Sequence, residues 1–133
     1  MPIGFVPQRG QILMCDFDMA GVVPPEMRKV RRVVVVSPRS HNRRHGVKPG
    51  RCIVVPFSAS EPTVVTPAEV PFPSGSYRSL SVPTWAICSA LASVSHARLD
   101  RVAVGRMFLS ERLGPHDLVR ITDGMRHALD LDL

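Results

Sequence analysis

Proline is distributed one-sidedly along this chain, and that asymmetry bounds its architecture. Of 13 prolines in 133 residues, twelve fall at or before Pro83, and Pro115 is the remaining one. Proline lacks an N–H and is excluded from helix interiors, so the first two-thirds predict strands and turns. The apolar segments agree. Ile12 to Phe17, Arg32 to Ser37 and Arg51 to Phe57 are short, β-branched stretches bounded by Gly and Pro, the pattern of a small barrel. Val33 to Val36 puts valine on both faces of a strand, which predicts burial on both sides and a central place in the sheet. Trp85 to Cys88, Ala92 to Val94 and a stretch near Ala68 to Phe72 are further strand candidates. After residue 109 the pattern changes. Gly114-Pro115-His116-Asp117 has the form of a helix start, and Leu118, Ile121, Met125, Ala128 and Leu129 recur at helical spacing. The expectation is one mainly β (α+β) domain over 1–133, with strands over about 8–108 and an amphipathic helix over about 114–130.

A hydrophobic fraction of 44% is enough for a real core and argues against a wholly disordered chain. The longest aliphatic run, Val33 to Val36, is far short of the ~20 residues that cross a bilayer, so no membrane is expected. Pro2, Pro7 and Arg9 stand where the apolar stretch of a secretory signal would lie, so none is expected. Cys15, Cys52 and Cys88 are odd in number and far apart. They read as reduced core thiols of a cytoplasmic protein and not as a disulfide framework.

The formal charge of +6 has a local origin. Arg28, Lys29, Arg31, Arg32, Arg39, Arg43, Arg44, Lys48 and Arg51 make up nine of the 17 Lys and Arg, with Glu26 as the one acidic residue among them. Such a block suits a polyanion, either nucleic acid or an acidic protein. A solvated basic loop that keeps the chain soluble fits the same residues. The two connections that hold this block, Asp18 to Val30 and Pro38 to Gly50, are long for a compact domain.

Metal and nucleotide chemistry find little support. His41 and His45 stand four apart in a turn-like stretch with Arg43, Arg44 and Gly46, and neither H-E-x-x-H nor paired C-x-x-C occurs. There is no G-x-x-x-x-G-K-[ST], and no cysteine lies in the Gly-rich turn that a nucleophile tends to occupy. No metal or other cofactor is expected. Glu26 and Arg31 remain, beside the basic block, with Ser58 just after the third strand.

Here the sequence resembles a known family. Gln8-Arg9-Gly10-Gln11-Ile12, Cys15-Asp16-Phe17, Pro24-Pro25-Glu26-Met27 and Arg31 before Val33-Val34-Val35-Val36-Ser37-Pro38 are similar to the MazF/PemK toxin endoribonucleases. Val54-Val55-Pro56-Phe57-Ser58 continues the likeness, as do Trp85 to Ser95 and Ala97-Arg98-Leu99-Asp100-Arg101-Val102. The pieces follow in family order over nearly the whole chain. The resemblance implies an SH3-like β-barrel with short helices and a C-terminal helix, forming a homodimer. It also implies metal-free cleavage of single-stranded RNA (mRNA) and a cognate antitoxin whose acidic tail fills the RNA groove. Glu26, Arg31 and Ser58 fall on the family's catalytic positions. Two departures are visible: Arg32 stands where the family usually has Pro, and Ser89-Ala90 replaces an Asp-Gln or Asp-Met pair.

Those residue types suit attack by an RNA 2′-hydroxyl on its own phosphodiester. Glu26 would accept the hydroxyl proton, Arg31 would hold phosphate oxygens with its planar fork, and Ser58 would donate to another. Arg28, Lys29, Arg32, Arg39, Arg43 and Arg44 are the candidates for tracking the phosphate backbone. Against these stand plainer roles: Arg31 as the structural partner of Asp16 or Glu26, and Ser58 as a turn residue. Two other functions share the barrel. One is a non-catalytic toxin of the CcdB type, which inhibits gyrase; the other is a nucleic-acid-binding module that cuts nothing.

Overall fold

The computed structural model describes residues 3–18, 23, 29–44 and 46–131. Nine strands and one α-helix follow in chain order: β1 (Ile12–Asp16), β2 (Val30–Val35), β3 (Arg51–Ser58), β4 (Glu69–Phe72), β5 (Thr84–Ile87), β6 (Ala92–Ser95), β7 (Leu99–Arg101), β8 (Ala103–Val104), β9 (Met107–Phe108) and α1 (Pro115–Leu129). The main sheet is antiparallel with order β4-β5-β3-β2-β1-β7, and β6 also pairs with β3. β8 and β9 form a separate hairpin.

β3 carries the architecture. One edge pairs with β2 through Val54 to Pro56. Its start, Arg51 to Val54, pairs with β6, and its end, Phe57 and Ser58, with β5. Pro56 stands between those last two partners, where the ladder changes neighbours and a missing N–H is tolerated. The mainly β class with a C-terminal helix is as the sequence implies, but the barrel is not closed. β4 and β7 end the strand path without pairing to one another. α1 packs along β4 and the 3-10 turn Cys88–Ala90.

β2 lies between β1 and β3, as its valines predict. Val34 packs into one cluster with Ile12, Val55, Phe57, Phe72 and Ile121. Val33 and Val35 pack into a second with Leu13, Cys15, Cys52, Val54 and Leu99. The strand also starts earlier than the hydrophobic pattern suggests. Val30, Arg31 and Arg32 already pair with Asp16, Cys15 and Met14 of β1, so Arg31 joins Arg32 on the strand and is not on the preceding connection.

α1 begins with Pro115 at its first turn and Asp117 beside the helix N-terminus. It ends on Asp130 in the left-handed conformation, with Arg126 and His127 near the C-terminal carbonyls. Gly124 is buried against Cys88, where a Cβ would stand 2.7 Å from Sγ, so the helix rests directly on the 3-10 turn. Among the described residues, no helix is long and apolar enough to cross a membrane.

Candidate active site on the β2–β3 pair

The register of β2 and β3 sets Val33 opposite Pro56. The pairing ends there: Arg31 precedes Val33 by two residues on β2, and Ser58 follows Pro56 by two on β3, where that strand has passed to its pairing with β5. Next to Arg31 the turn is held tight: the Phe17 amide donates to the Lys29 carbonyl at 2.9 Å, and Lys29 has φ +71°. A positive φ is uncommon for a residue with a long side chain, so the approach to Arg31 is a constrained one. Arg31 is half-buried. Ser58 ends β3 opposite Trp85. Its Oγ accepts from the Ser60 amide at 3.2 Å and donates to the Ser60 carbonyl at 3.3 Å. That is the turn geometry expected of a serine at a strand end; the one O–H is used locally, and a lone pair remains. Glu26 and Arg28, the other members proposed for this end, lie outside the described residues.

Arg32 follows Arg31 on β2 and pairs with Met14 of β1. Its Nε is sealed from solvent, with no hydrogen-bond partner among the described residues. Arg31 and Arg32 both line a cleft of about 170 Å3, together with Phe57, Ser79, Ser81 and Thr84.

Arg39, Arg43 and Arg44 are not part of this end. They follow β2, whereas Arg31 lies near its start, and the five residues from Arg31 to Val36 span about 16 Å along the strand. Their loop is pinned. Asn42 is fully buried, and its Nδ2 donates to the carbonyls of Pro7 and Ser37 at 2.9 and 3.0 Å. Ser37 Oγ bonds Asn42 Oδ1 and accepts from the Ile53 amide at 2.8 Å. Arg44 donates to the Ile3 carbonyl at 2.8 Å. Gly50 lets the loop return, since a Cβ there would stand 2.3 Å from the Arg43 carbonyl oxygen and 2.9 Å from His96 Cε1. No motif announced Asn42; its role comes from burial that only the folded loop creates.

His96 lies beneath this loop, buried, with neither ring nitrogen hydrogen-bonded among the described residues. Burial lowers its pKa, nearby Arg44 lowers it further, and the Asn42 carbonyl opposes them. Burial also pushes the thiols of Cys15, Cys52 and Cys88 up to about 12. All three are free and protonated at neutral pH, so none is a thiolate nucleophile. Among the described residues, no three His, Cys, Asp or Glu side chains are placed to share a metal ion.

Comparison with known proteins bears on this end of the sheet. The family model described as a PemK-like, MazF-like toxin of type II toxin–antitoxin systems matches residues 8–122. The uncharacterized protein YifN of Escherichia coli (strain K12) is 30% identical over 139 aligned positions, spanning 90% of this chain and 88% of YifN. MazF from Deinococcus radiodurans superposes with a TM-score of 0.67 at 22% identity, covering 96% of this chain and 99% of its own. An endoribonuclease from a mycobacterial species, solved with its cognate antitoxin, gives 0.64 at 18% identity over 96% and 98%. These two structures establish similarity of fold.

Proposed function

This chain belongs to the PemK-like, MazF-like toxin family of type II toxin–antitoxin systems, and on that premise we propose that it is an endoribonuclease acting on single-stranded RNA without a metal. The single observation that supports the reading is the half-buried Arg31, which follows the constrained turn at Lys29 and lines one cleft with Arg32.

The chemistry follows from what each group can do. A 2′-hydroxyl attacks the adjacent phosphorus, a pentacoordinate phosphorane forms, and the 5′-oxygen departs to leave a 2′,3′-cyclic phosphate. Arg31 holds two phosphate oxygens and stabilises the charge that accumulates on them. Ser58 turns its hydroxyl from the Ser60 carbonyl to donate to a phosphate oxygen, Glu26 accepts the 2′-hydroxyl proton, and water protonates the departing 5′-oxygen. Lys29 and the exposed arginines Arg39 and Arg43 supply sequence-independent attraction to the backbone. The protein acts in the cytoplasm as a homodimer and is held inactive by a cognate antitoxin with an acidic segment.

The test is cleavage of a long single-stranded RNA in EDTA. Wild type should give discrete fragments with 2′,3′-cyclic phosphate ends. Arg31→Ala should keep the fold and lose about 10²- to 10³-fold in rate, the usual effect of removing one preorganised charge-stabilising donor. Intact RNA with folded wild-type protein would refute the activity.

A further inference from the structure

We infer that Glu111 is a positioning residue of the proposed active site: its carboxylate clasps the loop that walls the cleft lined by Arg31 and Arg32, and so fixes the space a bound strand enters. The inference deepens the endoribonuclease reading and rests on it for the ligand, a single-stranded polynucleotide.

One wall of the cleft comes from the connection between β4 and β5: Ser79, Leu80, Ser81 and Val82 line it together with Arg31 and Arg32 of β2. That connection is bonded within itself. The Gly75 amide donates to the Leu80 carbonyl at 2.9 Å, and the Leu80 amide to the Tyr77 carbonyl at 3.0 Å. Such bonds give the turn its shape and leave its place to outside contacts. At one point, Tyr77 Oη donates to Asp117 Oδ2 at 2.6 Å and accepts from the Gly114 amide at 2.9 Å, which seats the turn on the start of α1. At the other, the Glu111 carboxylate accepts from the amides of Arg78 and Ser79 at 2.8 and 2.5 Å and from the Ser79 hydroxyl.

Glu111 is itself tied to the strands that carry the arginines. The Ile12 amide donates to its carbonyl at 3.0 Å, and Ile12 pairs with Val34, two positions along β2 from Arg32. Ser79 is buried and lines the cleft, whereas Glu111 bonds Ser79 and does not itself line it. Its effect on a ligand therefore passes through the wall. Burial pushes the Glu111 carboxyl up, but the Ser79 hydroxyl, the Arg78 and Ser79 amides and the Arg78 charge together hold it below the usual carboxylate range. It is ionised at neutral pH, which makes its three bonds charge-assisted. Charge and clasp then act on a polyanion in opposite directions. A carboxylate this close to an arginine-lined cleft repels phosphate, so by charge alone its loss should tighten binding. Loss of the clasp frees the wall and should loosen binding.

The opposed signs make the test. Binding of a fluorescent 2′-O-methyl oligoribonucleotide, which has no free 2′-hydroxyl to attack, is measured for wild type, Glu111→Ala, Ser79→Ala and a charge control on α1, Asp123→Ala. Glu111→Ala should weaken binding by about 2- to 30-fold, the usual range for a residue that touches no ligand. The salt slope should stay that of wild type, because Ser79, Leu80, Ser81 and Val82 carry no charge and the cations are all retained. Ser79→Ala removes one bond and no charge, and should shift binding the same way by less. Asp123→Ala makes the same charge change and should not weaken binding. Amide exchange adds a local readout: Arg78 and Ser79 should lose protection in Glu111→Ala while Ile53 keeps it, which a general loss of stability would not produce. Tighter or unchanged binding by Glu111→Ala, or a shallower salt slope, overturns the inference. If Glu111→Ala does not fold, Ser79→Ala binding like wild type overturns it alone. Wild type that binds the oligonucleotide but leaves RNA intact refutes the endoribonuclease reading and not the clasp, whereas wild type that binds no single strand refutes both.

Discussion

Replacing Asn42 with alanine should destabilise the protein far more than replacing the arginines around it. Asn42 is fully buried and its side chain takes part in three hydrogen bonds, to the Pro7 carbonyl, the Ser37 carbonyl and the Ser37 hydroxyl. Net contributions of about 1 kcal/mol each suggest a loss of about 3 kcal/mol, because water does not reach the groups left behind. For a chain of 133 residues the unfolding entropy is about 0.28 kcal/mol/K, so the melting temperature should fall by about 10 °C. Urea and thermal melts at pH 7 would measure this, with Arg43→Ala as the exposed control expected within about 0.5 kcal/mol of wild type. Hydrogen exchange adds a local readout. The Ile53 amide donates to Ser37 Oγ, and it should lose protection once Asn42 no longer fixes that hydroxyl. A change below about 1 kcal/mol, with Ile53 still protected, would mean that Asn42 does not pin the basic loop, and the reasoning would fail.

Two other outcomes follow from packing and protonation. Gly124→Ala should destabilise by about 1–2 kcal/mol in denaturant melts, although helix propensity alone would make alanine better by about 1 kcal/mol. The added Cβ would stand 2.7 Å from Cys88 Sγ and 2.9 Å from Val70 Cγ2, and a melt showing stabilisation would show that α1 can shift off its seat. His96 has a folded pKa below its unfolded value, because burial and Arg44 disfavour the imidazolium. The unfolded chain then binds the extra proton, so this contribution to stability is complete above about pH 6.5 and is lost as pH falls through the folded pKa. Stability should drop from pH 6.5 toward 5 with a slope of at most about 1.4 kcal/mol per pH unit, and His96→Met should flatten that slope; an unchanged slope would assign the titration elsewhere.

Much of the sheet was legible because it is written in local chemistry. Val33, Val34 and Val35 of β2 could satisfy two buried faces only from the centre of a sheet, and that is where they lie. Pro115 marked the start of α1 for the same reason that the earlier prolines excluded helices. What escaped depends on distant partners. β7 is three residues long and exists by pairing with β1, some 85 positions earlier. The docking of α1 on β4 and the 3-10 turn at Cys88 is likewise a long-range contact that no periodicity encodes. At the candidate site, Arg31 and Ser58 were singled out through the family resemblance, and the structure puts one near the start of β2 and the other at the end of β3. Ser79 and Ser81 come from a Pro- and Ser-rich stretch and Thr84 from the start of β5, and only folding brings them to Arg32.

The arginine count first suggested a polyanionic partner, but these side chains do several different jobs. Arg9, Arg44, Arg98, Arg112 and Arg120 each donate to a main-chain carbonyl, those of Val36, Ile3, Asp16, Arg9 and Pro71. They tie together segments far apart in sequence, and Arg98 reaches across 82 positions to the end of β1. Removing one of them would cost packing and hydrogen bonds as well as charge. Arg44, chosen from sequence as an RNA contact, has this second task through its bond to Ile3. Arg39 and Arg43 differ: both are exposed and both line one shallow pocket with Val6 and Ser40. The positive charge thus divides between one end of β2, where Arg31 and Arg32 line one cleft, and the loop that Asn42 pins after its other end. Attraction to a polyanion needs exposed charge and not a fixed loop, so Asn42→Ala should cost stability without removing what Arg39 and Arg43 contribute to that attraction.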